Sequence, residues 1–411
     1  MPRTVYIIAG EPSGDRLGGA LMTALQNLEE VSFHGVGGQD MKAAGLAPLF
    51  PMSELTVMGI SEILPRLPHL MRRISETAAD VIARRPDVLI TIDSPDFTLR
   101  VARKVKAALP DLKIIHYVAP SVWAWRPGRA IRMARHVDHV LCLLPFEPPY
   151  MEAAGMTAAF VGHPVAGRSQ PGEREVVAFR KELGLHAGQK LLLVAPGSRN
   201  GEVRRLTTVF RDSITRLQRT FPDLVLICPV AETVEPQVKA AFADMEGVIH
   251  FVRAQDGNVR KQIAFASADA ALCASGTITL EVAAAGTPMV AAYRTTWLTA
   301  QIVRRVIKIN TANLINLISG RSVVPEFLQE YATPAALEEA LTPLLQGGSE
   351  ALNQRQAFDE VMRAMGRDGP APEHLAAQSV LDVLENRVSK SSGRRPGAEA
   401  PGPKDRHQGR I

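Results

Sequence analysis

The chain has 411 residues, of which 46% are hydrophobic and 22% are charged, and its formal net charge at neutral pH is +5. This length suffices for two domains with separate cores, and so modest a charge gives no strong argument for a nucleic-acid partner. The apolar run VYIIAG near the N-terminus is too short for a signal sequence, and no stretch supplies the roughly 18 apolar residues of a spanning helix. We therefore expect a cytoplasmic protein whose positive charge suits an anionic membrane surface.

Apolar runs of strand length alternate with amphipathic segments through the first half of the chain. The runs are TVYIIAG at 4–10, DVLITID at 87–93, KIIHYVAP at 113–120 and HVLCLLP at 139–145. Near-continuous apolar strands that alternate with helices are typical of a parallel sheet covered on both faces. The three cysteines, Cys142, Cys228 and Cys273, lie within such runs without the spacing of metal ligands, so we expect buried thiols in a reducing compartment.

A polar stretch at 166–175, AGRSQPGERE, predicts a hinge, after which the alternation restarts with KLLLVAPGSR and DLVLICPVA. From about residue 334 the pattern becomes helical, and the Gly-, Pro- and Arg-rich end favours disorder. We therefore expect an α/β fold with two Rossmann-like domains at 1–168 and 169–345, C-terminal helices at 346–388 and a disordered tail at 389–411.

The stretch IIAGEPSGDRLGG at 7–19 follows the first predicted strand. It lacks the lysine and the spacing of a P-loop, and the second strand ends in glycines rather than in the acid of a Rossmann fingerprint. One interpretation is a glycine-permitted turn in which Ser13 or Asp15 caps the next helix. The other is a ligand site, because Glu11 lies at the carboxyl edge of a parallel strand.

A second strand, turn and helix are predicted in LLLVAPGSRNGEV at 191–203. The helix is apolar at Val203, Leu206, Phe210, Ile214 and Leu217. Arg199 lies in the turn, where a guanidinium can reach a diphosphate at the helix N-terminus.

The stretch ALCASGTITLEVAAAG at 271–286 repeats this design. The turn Ser275-Gly276-Thr277 opens a helix, and Glu281 lies one turn into it on the same face as Thr277. A carboxylate there can accept both hydroxyls of a ribose while the turn holds phosphates. Either motif alone fits a capped helix with a solvated acid, but two of them at successive strand ends favour a nucleotide site.

A series of short motifs occurs in order between Ala9 and Arg321: AGEPSGDRLGG, MGISEIL, IDSPDF, HYVAPSVWAWR, GHPV, PGSR with Glu202 close behind, ASGTITLE and NLISGR. With this set the sequence resembles the lipid-A-disaccharide synthases, which are inverting glycosyltransferases of the GT-B type. The resemblance extends to about residue 385 and ends in the tail after Val388.

The resemblance implies a reaction in which UDP-2,3-diacylglucosamine donates its sugar to the 6-hydroxyl of 2,3-diacylglucosamine 1-phosphate. The products are the β(1→6) lipid A disaccharide and UDP. The resemblance also implies two Rossmann-like domains with the site in the cleft, the acceptor on the N-terminal half and UDP on the C-terminal half. We expect no metal ion or other cofactor, a homodimer that exchanges C-terminal segments, and peripheral attachment to the inner face of the cytoplasmic membrane.

The resemblance assigns roles to residues at the predicted strand ends. Asp93 in IDSPDF is the expected general base, Glu11 is a second catalytic candidate, and Arg199 neutralises the leaving diphosphate. We favour a turn or cap role for Asp96. The expected UDP-binding residues are Arg199, Ser275, Gly276, Thr277, Glu281 and Asn316.

The acceptor and its acyl chains are expected on the first half, against Ser13, Asp15, Met58, Trp123, Trp125, Leu67 and Leu70. Two basic and apolar stretches, 58–73 and 297–308, are candidates for membrane contact, although the second fits a core helix almost equally well. Pro65 and Pro68 predict that the first stretch is an interrupted helix or a loop.

Two other functions remain compatible with these residues. A GT-B-fold UDP-sugar epimerase would share the UDP pocket but needs no lipid-facing surface. A nucleotide-binding module without activity would use Arg199 and Glu281 but has no need for Asp93. The products formed from the two acylated sugars distinguish all three.

Overall fold

The computed structural model describes residues 2–55, 60–123, 128–245, 247–296 and 311–388. It divides the chain into two compact units. One unit contains the residues up to Pro164 together with those from Asp368 onward, and the other contains Val165–Arg367.

The first unit is built on a seven-stranded parallel sheet. Its strands are β1 (Arg3–Ala9), β2 (Val31–Val36), β3 (Ala47–Pro48), β4 (Val88–Ile92), β5 (Lys113–Tyr117), β6 (His139–Cys142) and β7 (Thr157–Phe160). Its first helices are α1 (Pro12–Gln26), α2 (Gln39–Ala43), α3 (Ile60–Arg84), α4 (Pro95–Ala108), α5 (Gly128–Met133) and α6 (Pro148–Ala153). The strand order is β3-β2-β1-β4-β5-β6-β7, which is the doubly wound arrangement.

The second unit is built on a six-stranded parallel sheet of order β10-β9-β8-β11-β12-β13. Its strands are β8 (Leu191–Ala195), β9 (Val225–Val230), β10 (Ile249–Arg253), β11 (Ala270–Ala274), β12 (Met289–Tyr293) and β13 (Glu326–Leu328). Its helices are α7 (Glu173–Glu182), α8 (Asn200–Thr220), α9 (Glu235–Ala241), α10 (Gly257–Ser267), α11 (Ile278–Ala284), α12 (Leu314–Ser319), α13 (Pro334–Gln346) and α14 (Ser349–Ala364). The last helix, α15 (Pro372–Leu384), belongs to the first unit.

Both faces of the first sheet are covered by apolar cores. Along β1, Val5 and Ile7 pack on one face with α1 and α15, whereas Tyr6 and Ile8 pack on the other with α3 and α4. The side chains of β4 and β8 are all buried, as the continuous apolar runs predict. The predicted α/β class with two Rossmann-like domains is therefore confirmed.

The predicted burial of individual side chains is confirmed in two places. The apolar positions of α8, from Val203 to Leu217, are all buried in the core of the second unit. The three cysteines are buried free thiols. Both results could be predicted because burial follows from the local sequence: the apolar spacing of α8 defines one helix face, and each cysteine lies within an apolar run.

The prediction that Pro65 and Pro68 interrupt the stretch at 58–73 is wrong. The structure has one helix, α3, from Ile60 to Arg84, and both prolines lie within it. Each proline removes one backbone hydrogen bond, but the helix continues because core packing and ion pairs stabilise its later turns. There Ile74 and Val81 are buried in the core, and Arg73 binds Glu54 and Glu76.

Candidate active site

The ends of β1 and β4 lie side by side, because these strands are parallel neighbours with Ala9 opposite Ile92. The next residues, Gly10 and Asp93-Ser94, therefore meet at the carboxyl edge of the sheet, where α/β proteins place their ligands. A Cβ atom on Gly10 would lie 2.8 Å from Ser94 Oγ, so the two backbones approach as closely as a glycine allows.

Asp93 and Ser94 both have left-handed backbone conformations, with φ angles of 46° and 42°, and Val118 at the end of β5 has a φ of 80°. Such angles are costly for residues other than glycine and cluster at functional sites. The conformation is held by the Asp93 N–H, which donates to the Tyr117 carbonyl at 3.0 Å, and by the Thr98 hydroxyl, which donates to the Asp93 carbonyl at 2.6 Å.

The Asp93 carboxylate is half-buried, and within the described part of the chain no hydrogen bond or ion pair engages it. An accessible carboxylate on a rigid strand end suits a general base. Asp96 is exposed in the first turn of α4, which agrees with the turn role favoured for it.

We expect Gly10→Ala to lower activity strongly, because the new methyl group overlaps Ser94 and must displace the segment that presents Asp93. Adding Ser94→Gly relieves this overlap, because it removes Ser94 Oγ and Cβ, the two atoms that the methyl group meets. Glycine also tolerates the left-handed backbone at this position. Turnover and thermal midpoint of the single and double variants check this. Activity in Gly10→Ala that matches the wild type would show that the close approach is unimportant.

The interpretation that Ser13 or Asp15 caps α1 is wrong. Glu11 is the N-cap residue, and Pro12 starts the helix early because its fixed φ suits the first helical position. Ser13 is exposed on the first turn. Asp15 is buried and accepts backbone N–H groups from Gly38, Asp40 and Met41 at 2.6–3.2 Å, so it anchors the start of α2.

The other residues expected on the acceptor side are only partly described. Trp123 is half-buried and packs edge-on against Phe146, with ring centroids 5.3 Å apart. On α3, the Leu67 side chain is exposed and Leu70 packs partly against the core. Met58, Trp125 and the stretch 297–308 lie outside the described residues.

In the second unit, β8 and β11 are parallel neighbours, so the turns that follow them share one edge of the sheet. Arg199 is the N-cap residue of α8, and its side chain is 83% exposed with Glu202 at 3.5 Å. After β11, the Ser275 N–H donates to the Ala292 carbonyl at 2.8 Å. The N–H groups of Gly276 and Thr277 have no hydrogen-bond acceptor among the described residues.

Glu281 is held by two cations that the sequence did not indicate. Arg168 Nη1 lies 3.1 Å from Glu281 Oε1, and Lys261 Nζ binds Oε2. Burial alone would raise the pKa of this carboxyl group, but Lys261 and Arg168 together lower its pKa below the ordinary value. The three side chains line a small pocket with Phe265 and Gln170, so the carboxylate stays ionised beside it.

Asn316 is buried on α12, and its side-chain amide binds the loop that follows this helix. Its Oδ1 accepts the N–H groups of Val323 and Val324 at 2.9 and 2.8 Å, and its Nδ2 donates to the Val324 carbonyl at 2.9 Å. Nδ2 also donates to Thr311 Oγ1 at 3.4 Å, so a direct contact with a nucleotide requires one of these four bonds to be exchanged.

Glu326 is a further polar residue of this region that sequence patterns did not single out. Its carboxylate binds the Ser275 hydroxyl at 2.7 Å. Glu326, Arg168 and Lys261 come from separate elements, and only the fold brings each of them beside a predicted site residue. A single sequence contains no signal for these contacts.

Comparison with known proteins gives a consistent result. The family described as lipid-A-disaccharide synthetase matches residues 5–380. The lipid-A-disaccharide synthase of Ruegeria pomeroyi is 51% identical over 92% of this chain and 95% of its own length. That of Rhodospirillum centenum is 42% identical over 96% of this chain and 98% of its own length.

Among solved structures, a protein from Listeria monocytogenes that is assigned as a UDP-N-acetylglucosamine 2-epimerase aligns with this chain with a TM-score of 0.61. It covers 95% of this chain and 98% of its own, at 14% identity. So low an identity shows the fold alone, which agrees with the predicted GT-B type and gives no support to epimerase activity here.

Proposed function

The chain belongs to the lipid-A-disaccharide synthase family, and we propose that it joins two acylated glucosamines. It transfers 2,3-diacylglucosamine from UDP to the 6-hydroxyl of 2,3-diacylglucosamine 1-phosphate, and it releases the β(1→6) disaccharide and UDP. The structural observation that carries this function is the unengaged Asp93 carboxylate, which a strained backbone presents at the sheet edge.

The proposed chemistry is a single displacement that inverts the anomeric carbon. Asp93 accepts the proton of the acceptor hydroxyl while its oxygen attacks that carbon. The bond between the anomeric carbon and the diphosphate oxygen breaks, and UDP leaves with the electron pair. We propose that Glu11, the N-cap residue of α1 just after β1, is a second catalytic residue that assists Asp93.

We propose that protein groups rather than a metal ion neutralise the leaving diphosphate. Arg199 supplies a charged donor, and the Gly276 and Thr277 N–H groups supply oriented dipoles. Activity that persists in excess chelator, with a β-configured product by NMR, is the expected result. A requirement for added Mg²⁺, or an α product, would refute this mechanism.

We propose that Glu281 accepts the ribose hydroxyls of UDP, with Arg168 and Lys261 fixing the carboxylate. Glu281→Ala is expected to weaken UDP binding by about 1–3 kcal/mol, because the hydroxyls lose their acceptor. Calorimetry with UDP and with 2′-deoxy-UDP checks this. The wild type should prefer UDP, and the variant should bind both equally. An unchanged preference in Glu281→Ala would remove Glu281 from the ribose site.

We propose peripheral contact with the inner face of the cytoplasmic membrane through α3. Moving acyl chains into water costs about 0.8 kcal/mol per methylene, so an enzyme that works at the interface avoids this cost. On α3 the side chains of Leu67 and Met71 are 41% and 40% exposed, and Arg72 beside them is exposed. In the described part of the chain no helix has the length and apolarity needed to cross a membrane.

Sedimentation with anionic liposomes tests this contact. Leu67→Ser with Met71→Ser should reduce binding, and high salt should weaken it by screening the basic residues. Leu352→Ser on α14 is a matched control, since that leucine is 60% exposed in the second unit. An intact protein that does not bind the liposomes would refute membrane contact.

We further propose a homodimer. In this dimer the two chains would exchange their C-terminal segments. Support comes from the family resemblance and from α15, the helix that this exchange would involve. In the single chain α15 packs on α1, and Ser379 binds the buried His139 at 2.9 Å. Light scattering should give the mass of two chains.

A further inference from the structure

The Glu326 carboxylate gathers three hydrogen-bond donors from two separate segments of the second unit. Oε1 accepts the Ser275 hydroxyl at 2.7 Å. Oε2 accepts the Thr311 hydroxyl at 2.6 Å and the Ala312 N–H at 3.0 Å. Glu326 thus connects the turn after β11 to the loop that leads into α12.

The direction of these bonds follows from the chemistry of the groups. An ionised carboxylate has no proton, so both hydroxyls must donate to it. The Ser275 hydroxyl proton is thereby committed to Glu326, and the Ser275 N–H is committed to the Ala292 carbonyl. Ser275 therefore anchors the turn, and the donors left for a ligand are the backbone N–H groups of Gly276 and Thr277.

The other arm of the network reaches Asn316. While Thr311 Oγ1 donates to Glu326, it accepts the Asn313 N–H at 3.1 Å and Asn316 Nδ2 at 3.4 Å. Glu326 is consequently the one described side chain that hydrogen-bonds both the turn at Ser275 and the Thr311 loop that supports Asn316. Loss of its carboxylate would release both segments together.

We propose that Glu326 is a positioning residue for the donor diphosphate. It acts without touching the diphosphate, by fixing the Ser275–Thr277 turn against the segment 311–316, which comprises the end of the loop before α12 and the first residues of that helix. This role rests on the proposed function, in which that turn binds UDP. The carboxylate's own charge opposes an anionic ligand nearby, so any loss of affinity on its removal must come from lost order.

The test compares the UDP dissociation constant and the donor KM of Glu326→Ala with those of the wild type. We expect UDP binding to weaken roughly tenfold, because two hydroxyls and an N–H lose their acceptor and the turn loses its anchor. Ser275→Ala should weaken it less, and the double variant should bind no worse than Glu326→Ala alone. Glu338→Ala is the control, since that glutamate binds Arg216 elsewhere in the unit.

Each outcome has one meaning. We expect Glu338→Ala to have a lower thermal midpoint but wild-type UDP affinity. The same result for Glu326→Ala would overturn the positioning role. Tighter UDP binding by Glu326→Ala would overturn it as well. If Glu326→Ala does not fold, Ser275→Ala and Thr311→Val decide the matter, and unchanged affinity in both would overturn it. Failure of the wild type to bind UDP would instead refute the proposed function.

Discussion

Replacing Asp93 by Asn should lower turnover by at least about 100-fold while leaving UDP affinity nearly unchanged, because Asn cannot accept the proton of the acceptor hydroxyl. Asn is also the best available substitution for the backbone, since it tolerates the left-handed conformation that Asp93 adopts with φ of 46°. We therefore expect the loss of activity in this variant to be chemical and not a consequence of misfolding.

Two comparisons make the Asp93 result decisive. Asp96→Asn changes an exposed carboxyl group on the next turn and should retain activity. The thermal midpoint of Asp93→Asn should match that of the wild type. Turnover near the wild-type rate in Asp93→Asn would exclude Asp93 as the base and would move attention to Glu11 or Asp96.

Replacing Arg199 by Ala should lower turnover by about 100- to 1000-fold, with a much smaller loss of UDP affinity. The charge on the diphosphate oxygen grows as the bond to the sugar breaks, so a cation there acts mainly in the transition state. The fold should not suffer, because the Arg199 side chain is 83% exposed and its ion pair with Glu202 at 3.5 Å contributes little.

Steady-state kinetics separate the two possible roles of Arg199. A fall in turnover at nearly constant donor KM indicates stabilisation of the leaving group. A rise in KM at constant turnover would show that Arg199 only binds UDP in the ground state. Glu202→Gln is the matched control, since it leaves the guanidinium in place and removes only its partner.

The fold could be predicted from the sequence where one segment alone determines what is buried. The run VLITI of β4 is apolar at every position except the buried Thr91, and α8 is apolar at the spacing of one helix face. The path of α15 back to the first unit had no such signal, because its contacts with α1 join residues far apart in the chain. The continuity of α3 through two prolines was also missed, since its anchors lie in later turns and in Glu54.

The candidate site could be predicted only as far as the strand ends. Sequence patterns placed Asp93, Arg199 and Ser275 in the turns that follow apolar runs, and the sheet registers bring these turns to the expected edges. Asp15 shows the limit of such patterns, since an acid within a motif proves to anchor a neighbouring helix. The partners of Glu281 and Ser275 come from other elements, and their identities depend on the folded chain.

Incubation of the purified wild-type protein with UDP-2,3-diacylglucosamine and 2,3-diacylglucosamine 1-phosphate tests the assigned reaction most directly. The acylated disaccharide and UDP should form in equal amounts, and neither should form when the acceptor is omitted. Release of UDP or of an epimerised sugar from the donor alone, with no disaccharide when both substrates are present, would contradict the assignment.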